Sequence, residues 1–202
     1  MSNRTPPVAR SLRADAERSI GLILEAADAV FTRNPAASME EVAKAAGVAR
    51  ATVHRRFTSR EALYDALAQQ LDDKLRQALK AADARTAPPL VALYQLTVTT
   101  LELKTDWRAS WRLVDQGGLA PEIIADLDLL FHRARDVGLL QEAVEPLWVR
   151  GVYMALVHEA ALTRPEGSPS SEWAQRVLRT LFTGLGDVDY PLGDPVTDLK
   201  SS

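Results

Sequence analysis

The stretch 38–57 constrains the fold of this chain more than any other segment. Ser38 followed by Glu41 has the spacing of a capping box, which predicts that a helix begins there. Gly47 stands where this short helix must end, because glycine takes the left-handed turn conformation without a Cβ penalty. The apolar Val48 follows the turn. This pattern predicts two short helices joined by a tight turn, which is the helix-turn-helix arrangement.

The second predicted helix has a cationic outer surface. It begins near Arg50, and Val53 and Phe57 are spaced to face inward. The remaining positions of interest, including one just beyond the helix, are Thr52, His54, Arg55, Arg56 and Arg60. An ordinary hairpin of short helices predicts no such charge bias. A cationic helix suits a phosphate-lined major groove, so the pattern favours DNA binding.

The charge is divided unevenly along the chain, although its total is only −3. Residues 1–60 contain ten Lys and Arg against six Asp and Glu, a net of +4, and residues 61–202 have a net of −7. A basic end on an acidic body is typical of a nucleic-acid-binding segment joined to another domain.

The composition excludes several classes of protein. There is no cysteine, which rules out disulfides, thiolate zinc sites and cysteine nucleophiles. We find no apolar segment of a signal peptide and no membrane span, so we expect a cytoplasmic protein without membrane contact. His132 and His158 lack metal-ligand spacing, and no nucleophile elbow is present. We therefore expect no metal, no cofactor, no catalytic residue and no enzyme.

Apolar residues at helical spacing recur throughout, and no stretch alternates at period two, which predicts an all-α fold. We expect a flexible basic arm at 1–13 and a three-helix DNA-binding domain at 14–60, with its first helix starting near Ala14. A helical effector-binding and dimerisation domain should follow at 61–186, and a disordered tail at 187–202. One long helix from Arg60 to about Ala82 joins the two domains and is a natural lever. Asp106 is expected to cap a short helix that ends at Gly117.

The chain resembles the TetR family of bacterial regulators. The resemblance rests on Val42-Ala43, Ala46-Gly47-Val48, the run from Thr52 to Phe57, and Arg60-Glu61-Ala62-Leu63. It is specific over about residues 14–64. It implies a three-helix DNA-binding module, a connecting helix and a helical ligand-binding, dimerising domain.

The resemblance also implies roles for residues at matching positions. Arg50, Ala51 and Thr52 stand where the family reads bases, and His54, Arg56 and Arg60 stand where it holds phosphates. Arg55 suits either role. The sequence departs from the family at Ala49, where serine is frequent, at His54, where tyrosine is usual, and at Arg60, where lysine is usual. Loss of the Ala49 cap removes typically about 1 kcal/mol of helix stability.

Two further groups of residues are candidates for binding. An apolar ligand cavity is predicted among Tyr94, Trp107, Trp111, Phe131, Met154 and His158, although aromatic residues in a helical bundle are more often core. A dimer contact is predicted from the helices at about 146–164 and 172–185, through Trp148, Val152, Leu156, Val177, Leu178, Leu181 and Phe182.

Together these features predict a homodimeric repressor that binds a palindromic double-stranded DNA operator and is released by a small apolar or amphipathic effector. Two alternatives remain open at the level of sequence. One is a constitutive dimeric helical binding module without operator-specific DNA binding, and the other is a helical carrier of a small molecule.

Overall fold

The computed structural model describes residues 7–185, with the side chains of 18–114 and 118–184. The described residues form α-helices without a β-strand, which confirms the all-α prediction. The helices are α1 (Pro7–Arg33), α2 (Met39–Ala45), α3 (Arg50–Arg56), α4 (Arg60–Ala81), α5 (Pro89–Asp106), α6 (Arg108–Gly117), α7 (Pro121–Asp136), α8 (Pro146–Thr163) and α9 (Ser170–Leu185). Within 7–185, no helix is long and apolar enough to cross a membrane.

The chain divides into two compact units. The first runs through Leu71 and also includes Trp107–Gly117, while the second comprises Asp72–Asp106 and the residues from Gly118 onward. The sequence prediction drew the boundary at residue 60 and placed residues 61–186 in the second domain. The structure instead divides α4 between the units and groups α6 with the first, because α6 packs on α1.

Helix α1 begins earlier than the sequence prediction placed it. It starts at Pro7 rather than near Ala14, so residues 7–13, predicted as a flexible arm, are helical. Proline is favoured in the first turn of a helix, and the alanine, leucine and arginine residues that follow favour helix. The remainder of the predicted arm, together with the predicted tail at 187–202, lies outside the described residues.

The first unit is built on one face of α1. Ile23, Ala27 and Phe31 are buried there, at the spacing predicted from the sequence, and α1 packs against α2 and α6. Helix α2 in turn packs on α3, and Val42 and Val53 are buried between these elements. A short apolar stripe on each helix is therefore sufficient to hold the three-helix module.

The second unit is organised around α5, which packs against α7, α8 and α9. A buried hydroxyl pair joins α5 to α8: the Tyr153 and Thr97 hydroxyl oxygens are 3.0 Å apart, and Thr97 donates to the Leu93 carbonyl oxygen at 2.6 Å. Burial raises the pKa of Tyr153 to about 12, so its hydroxyl stays neutral and donates to Thr97. The edge of the Phe131 ring also meets Tyr153, with ring centroids 5.4 Å apart.

The N-terminus of α6 is capped differently from the sequence prediction. Asp106, the predicted cap, is the last residue of α5. The free backbone N–H groups of Ala109 and Ser110 instead donate to the carboxylate of Asp28 on α1, at 3.3 Å and 2.8 Å. The aspartate next to α6 in the sequence, Asp106, is therefore not its cap, and Asp28, far away in the chain, caps it instead.

The C-terminus of α4 offers a test of backbone strain. Asp83 has φ +46°, and the Asp83 and Ala84 N–H groups donate to the Lys80 and Leu79 carbonyl oxygens as in a Schellman motif. The equivalent positions after α2 and α7 are glycines, Gly47 and Gly138. We expect Asp83→Gly to raise the free energy of unfolding by about 0.5–1 kcal/mol, and Tm by roughly 2 °C, because glycine adopts this conformation without a Cβ penalty.

The control for this prediction is Asp83→Ala, which retains the Cβ and removes the carboxylate. Alanine tolerates the left-handed region less well than aspartate, so its Tm should fall. Thermal unfolding followed by circular dichroism measures both variants. A lower Tm for Asp83→Gly would show that the aspartate side chain stabilises the turn by more than the backbone strain costs.

Candidate functional site

The turn between α2 and α3 forms as the sequence predicts. The Ser38 backbone N–H donates to Glu41 Oε2 at 2.7 Å, and the Glu41 N–H donates to Ser38 Oγ at 3.2 Å, which completes the capping box. These hydrogen bonds hold the pKa of Glu41 below its usual range. The box therefore stabilises α2 at neutral pH, and this contribution is lost as the pH falls through the lowered pKa. Gly47 has φ +67° and carries the chain from α2 into the turn.

Helix α3 has one buried face and one exposed face. Val53 and Phe57 are buried, as predicted, and anchor the helix on the module. Of the residues predicted to meet DNA, Thr52 and Arg60 are half-buried, while the exposed ones are Arg50, Ala51, His54, Arg55 and Arg56. As the sequence also indicates, Ala49 provides no side-chain cap. The exposed surface of α3 thus has cationic and hydrogen-bonding groups and no carboxylate.

Glu40 on α2 is a neighbour of this surface that the sequence analysis missed. Its Oε2 lies 3.5 Å from Arg50 Nη1, and both side chains are largely exposed. Arg50 Nε also donates to His54 Nε2 at 3.4 Å. Adjacent glutamates at 40 and 41 were the available signal: Glu41 is used by the capping box, which leaves Glu40 free to point towards α3.

Arg60 differs from the other predicted phosphate contacts because its guanidinium group is used inside the first unit. Its Nη1 donates to the Ala37 carbonyl oxygen at 2.8 Å, and its Nη2 donates to the Tyr64 hydroxyl at 2.7 Å. The group also lies 5.0 Å from the centroid of Phe31 and 5.2 Å from that of Tyr64. These contacts fix the segment before α2 against α4, which is a positioning role.

The six predicted ligand contacts do not fall in one unit. Trp107 and Trp111 belong to the first unit, whereas Tyr94, Phe131, Met154 and His158 belong to the second. Within the second, Phe131 is buried but His158 is exposed, with its Nδ1 3.5 Å from Lys104 Nζ. His158 therefore does not share the buried environment of Phe131. That these residues line a cavity stays a prediction.

A cavity of about 420 Å³ in the second unit lies elsewhere, at the end of α4. Its lining is largely charged rather than aromatic: Arg76, Leu79, Lys80, Asp83, Ala84, Arg85, Thr86 and Asp126. Arg85 is already paired with Asp126 across it. In the part of the chain that the structure describes, no cluster of three or more His, Asp or Glu side chains is placed to hold a metal ion.

The residues predicted for the dimer contact differ in exposure between α9 and α8. The four residues chosen on α9 are buried within their own subunit: Val177, Leu178, Leu181 and Phe182. They are directed towards the core because α9 packs against both α5 and α8. On α8, by contrast, Val152 and Leu156 are half-buried and Trp148 is 63% exposed. A helical stripe indicates a packed face, but the stripe alone does not say which neighbour it meets.

Comparison with known proteins agrees with this arrangement. Residues 23–67 match the model of the family described as bacterial regulatory proteins, tetR family. The HTH-type transcriptional repressor LfrR of Mycolicibacterium smegmatis is 29% identical over 181 residues, which is 84% of this chain and 91% of LfrR. The HTH-type transcriptional regulator NfxB of Pseudomonas aeruginosa is 26% identical over 168 residues, covering 79% of this chain and 90% of NfxB.

The fold agrees over nearly the same length. The crystal structure of LfrR in complex with proflavine has a TM-score of 0.64 and 28% sequence identity, covering 85% of this chain and 98% of that one. The matched segment 23–67 contains the turn of α2 and α3 and the exposed cationic surface. Residues 23–67 therefore match the tetR family of bacterial regulatory proteins, and over most of its length the chain is similar to the transcriptional repressor LfrR.

Proposed function

We propose that this protein is a homodimeric repressor that binds a palindromic operator through α3 and is released by a small amphipathic effector. The observation that supports DNA binding best is the exposed surface of α3, where Arg50, His54, Arg55 and Arg56 stand on a helix anchored by the buried Val53. A rigid cationic helix at the surface is what entry into a major groove requires. LfrR, over most of its length similar to this chain, is named a repressor.

The test is selection of bound fragments from genomic DNA by the purified protein, followed by footprinting. We expect an inverted repeat with half-sites about one helical turn apart, since one recognition helix per subunit reads each half-site. Affinity should fall steeply with salt, because phosphate contacts release counterions. Enrichment of no sequence over random fragments would favour the constitutive binding module instead.

We expect Glu40→Gln to strengthen DNA binding. Its carboxylate pairs with Arg50 and would stand close to the phosphates, whereas an exposed pair of this kind contributes only about 0–1 kcal/mol to stability. Removing the charge should lower Kd by about two- to fivefold, the factor for less than 1 kcal/mol, with Tm nearly unchanged. Fluorescence anisotropy with the selected operator measures the Kd.

Glu25→Gln is the matched control, because it removes one exposed carboxylate of α1 and changes the net charge equally. If both variants tighten binding by the same factor, the effect comes from net charge and not from the pair with Arg50.

Dimerisation through α8 is supported by an exposed apolar stripe. Trp148 and Leu162 are 63% and 69% exposed, and Val152 and Ala155 lie between them at helical spacing, with Glu159 as a charged residue on the same face. Large exposed apolar side chains in a row are typical of an interface. The partner that would bind this face is a second copy of the chain, because a palindromic operator is bound by a dimer with two-fold symmetry.

The test combines Trp148→Glu with Leu162→Glu. Placing carboxylates at both ends of the stripe should give folded monomers in light scattering, with the helical circular dichroism of the parent. A double variant that remains dimeric at micromolar concentration would exclude this face of α8 as the interface.

Two features support an effector with a cationic or hydrogen-bond-donating group. Among the described residues of the second unit, Asp72 Oδ1 is buried without a hydrogen-bond partner, and so is Asp128 Oδ1, although the other oxygen of Asp128 accepts from Arg150 Nη1 at 2.8 Å. A buried acceptor without a partner costs about 1–3 kcal/mol, which a donor on a ligand offsets. The LfrR structure similar to this chain contains proflavine, a molecule of this chemical kind.

Proflavine is therefore the first probe, and its fluorescence reports binding to the protein once a titration of operator alone has been subtracted, because a planar cationic dye also binds DNA. Titrations with and without operator should give different proflavine affinities. An effector that lowers the affinity of the protein for DNA must itself bind more weakly, by the same factor, when DNA is bound. Asp72→Asn, which keeps the shape of the side chain, should weaken proflavine binding. Equal proflavine affinities with and without operator would remove this effector class from the proposal.

A further inference from the structure

Helix α6 has an unusual position in the chain. The helix (Arg108–Gly117) and the preceding Trp107 belong to the first unit, but α5 before it and α7 after it belong to the second. The chain thus crosses between units at Asp106–Trp107 and again at Gly117–Gly118. Gly118 has φ +82°, a conformation that permits a sharp exit from the helix. The two ends of α6 are therefore joined covalently to α5 and α7.

Asp28 on α1 binds the N-terminus of this helix. Its side chain is 2% exposed. Oδ1 accepts from the Ser110 N–H at 2.8 Å and the Ser110 hydroxyl at 2.7 Å. Oδ2 accepts from the Ala109 N–H at 3.3 Å and, within α1, from the Thr32 hydroxyl at 3.4 Å. Ser110 is itself fully buried. The first N–H groups of a helix have no partner within it, and its N-terminus favours a negative charge, so Asp28 meets both requirements.

A second contact continues from α6 towards the DNA-binding helices. Arg112 Nη2 donates to the Phe31 carbonyl oxygen at 2.6 Å. The Phe31 ring packs 4.8 Å from that of Tyr64 and 5.0 Å from the Arg60 guanidinium, which binds the Ala37 carbonyl. Ala37 immediately precedes the Ser38 cap of α2. All these residues lie in the first unit, and they connect α6 to the start of the helix-turn-helix.

We propose that Asp28 is the positioning residue that couples α6 to the DNA-binding helices, so that operator binding favours the state in which α6 is docked. This rests on the proposed function. A buried carboxylate that loses its partners is strongly unfavourable, so partial release of α6 is disfavoured and docking tends to be all-or-none. A two-state contact of this kind is what allosteric coupling needs.

Hydrogen–deuterium exchange of the full-length protein tests this without a known effector. With the selected operator, amides of α6 and of α2–α3 should both exchange at least about fivefold more slowly than in the free protein, the low end of typical coupling. In Asp28→Asn the operator should still protect α3 but change α6 less than twofold. Operator protection of α3 without any protection of α6 in the parent would overturn the coupling and leave DNA binding intact.

A milder variant guards against misfolding of Asp28→Asn. Ser110→Ala removes the 2.7 Å hydrogen bond and keeps both backbone donors. In the free protein of this variant, the α6 amides should exchange about tenfold faster than in the parent, which is the effect of losing one hydrogen bond to a charged group. The amides of α2 and α3 should also exchange faster, and the Kd for the operator should rise. Ile23→Val, a buried apolar change on α1, should match the loss in Tm without raising the Kd.

The outcomes separate the two proposals. If no DNA fragment protects α3, the proposed DNA binding fails, and the free-protein exchange of Ser110→Ala alone decides the coupling. If α6 loosens in Ser110→Ala while α2–α3 exchange at the parent rate, Asp28 is only a local cap and the coupling is wrong.

Discussion

Leu181→Glu should unfold the second unit rather than separate a folded dimer. Leu181 is 1% exposed on α9, which packs against α5 and α8. A carboxylate at this position has no route to solvent, and its burial costs several kcal/mol, a large share of the roughly 5–15 kcal/mol that stabilises a domain. We expect Tm to fall by about 10 °C or more and the helical circular dichroism to decrease.

The comparison variant is Trp148→Glu with Leu162→Glu, which adds carboxylates to exposed positions of α8. These two substitutions should lower the molar mass measured by light scattering from that of a dimer to that of a monomer, and the helical circular dichroism should match that of the parent. A Leu181→Glu protein that is a stable monomer with full helicity would return α9 to the dimer interface, as the sequence first indicated.

The double variant Arg55→Ala with Arg56→Ala should lose operator affinity across all sequences. Both side chains are exposed on α3. Each lost phosphate contact reduces the slope of log K against log salt concentration by about one unit, so the double variant should reduce it by about two units. Salt titrations by fluorescence anisotropy on the operator and on a scrambled fragment measure this. An unchanged slope would mean that neither arginine contacts the backbone.

Arg60→Ala is the matched substitution with a different expected result. Its guanidinium binds Ala37 and Tyr64 and packs on Phe31, so its loss should lower stability by about 2 kcal/mol and leave the salt slope unchanged. A slope flattened as much as by Arg56→Ala alone would show that Arg60 reaches the phosphates once DNA is bound.

Prediction from the sequence succeeded where a structure depends on neighbours along the chain. The capping box of Ser38 and Glu41, the turn at Gly47 and the inward Val53 each depend on residues within a few positions, and all three are confirmed. The start of α1 is an exception among local features. The run predicted to be a flexible arm is charged and contains alanine, and this composition is equally compatible with a helix that begins at Pro7.

Prediction was weaker wherever a side chain had several partners within reach. The apolar stripe of α9 is real, but the sequence does not say whether it meets its own subunit or another. Arg60 has both a family role at phosphates and aromatic neighbours, and the fold brings Phe31 and Tyr64 to its guanidinium group. The aromatic residues chosen for one cavity are divided between the two units, and that they line a cavity stays a prediction.

By itself, the sequence determined that this protein is helical, where most of its helices begin and end, and that α3 presents cations to solvent. These properties follow from periodicity, capping and local charge, which act over a few residues. Only the tertiary structure decided that Asp28 caps α6 and that Leu181 is core, because those contacts join residues far apart in the chain. Their partners are selected by packing and by the need to satisfy buried polar groups across the whole unit.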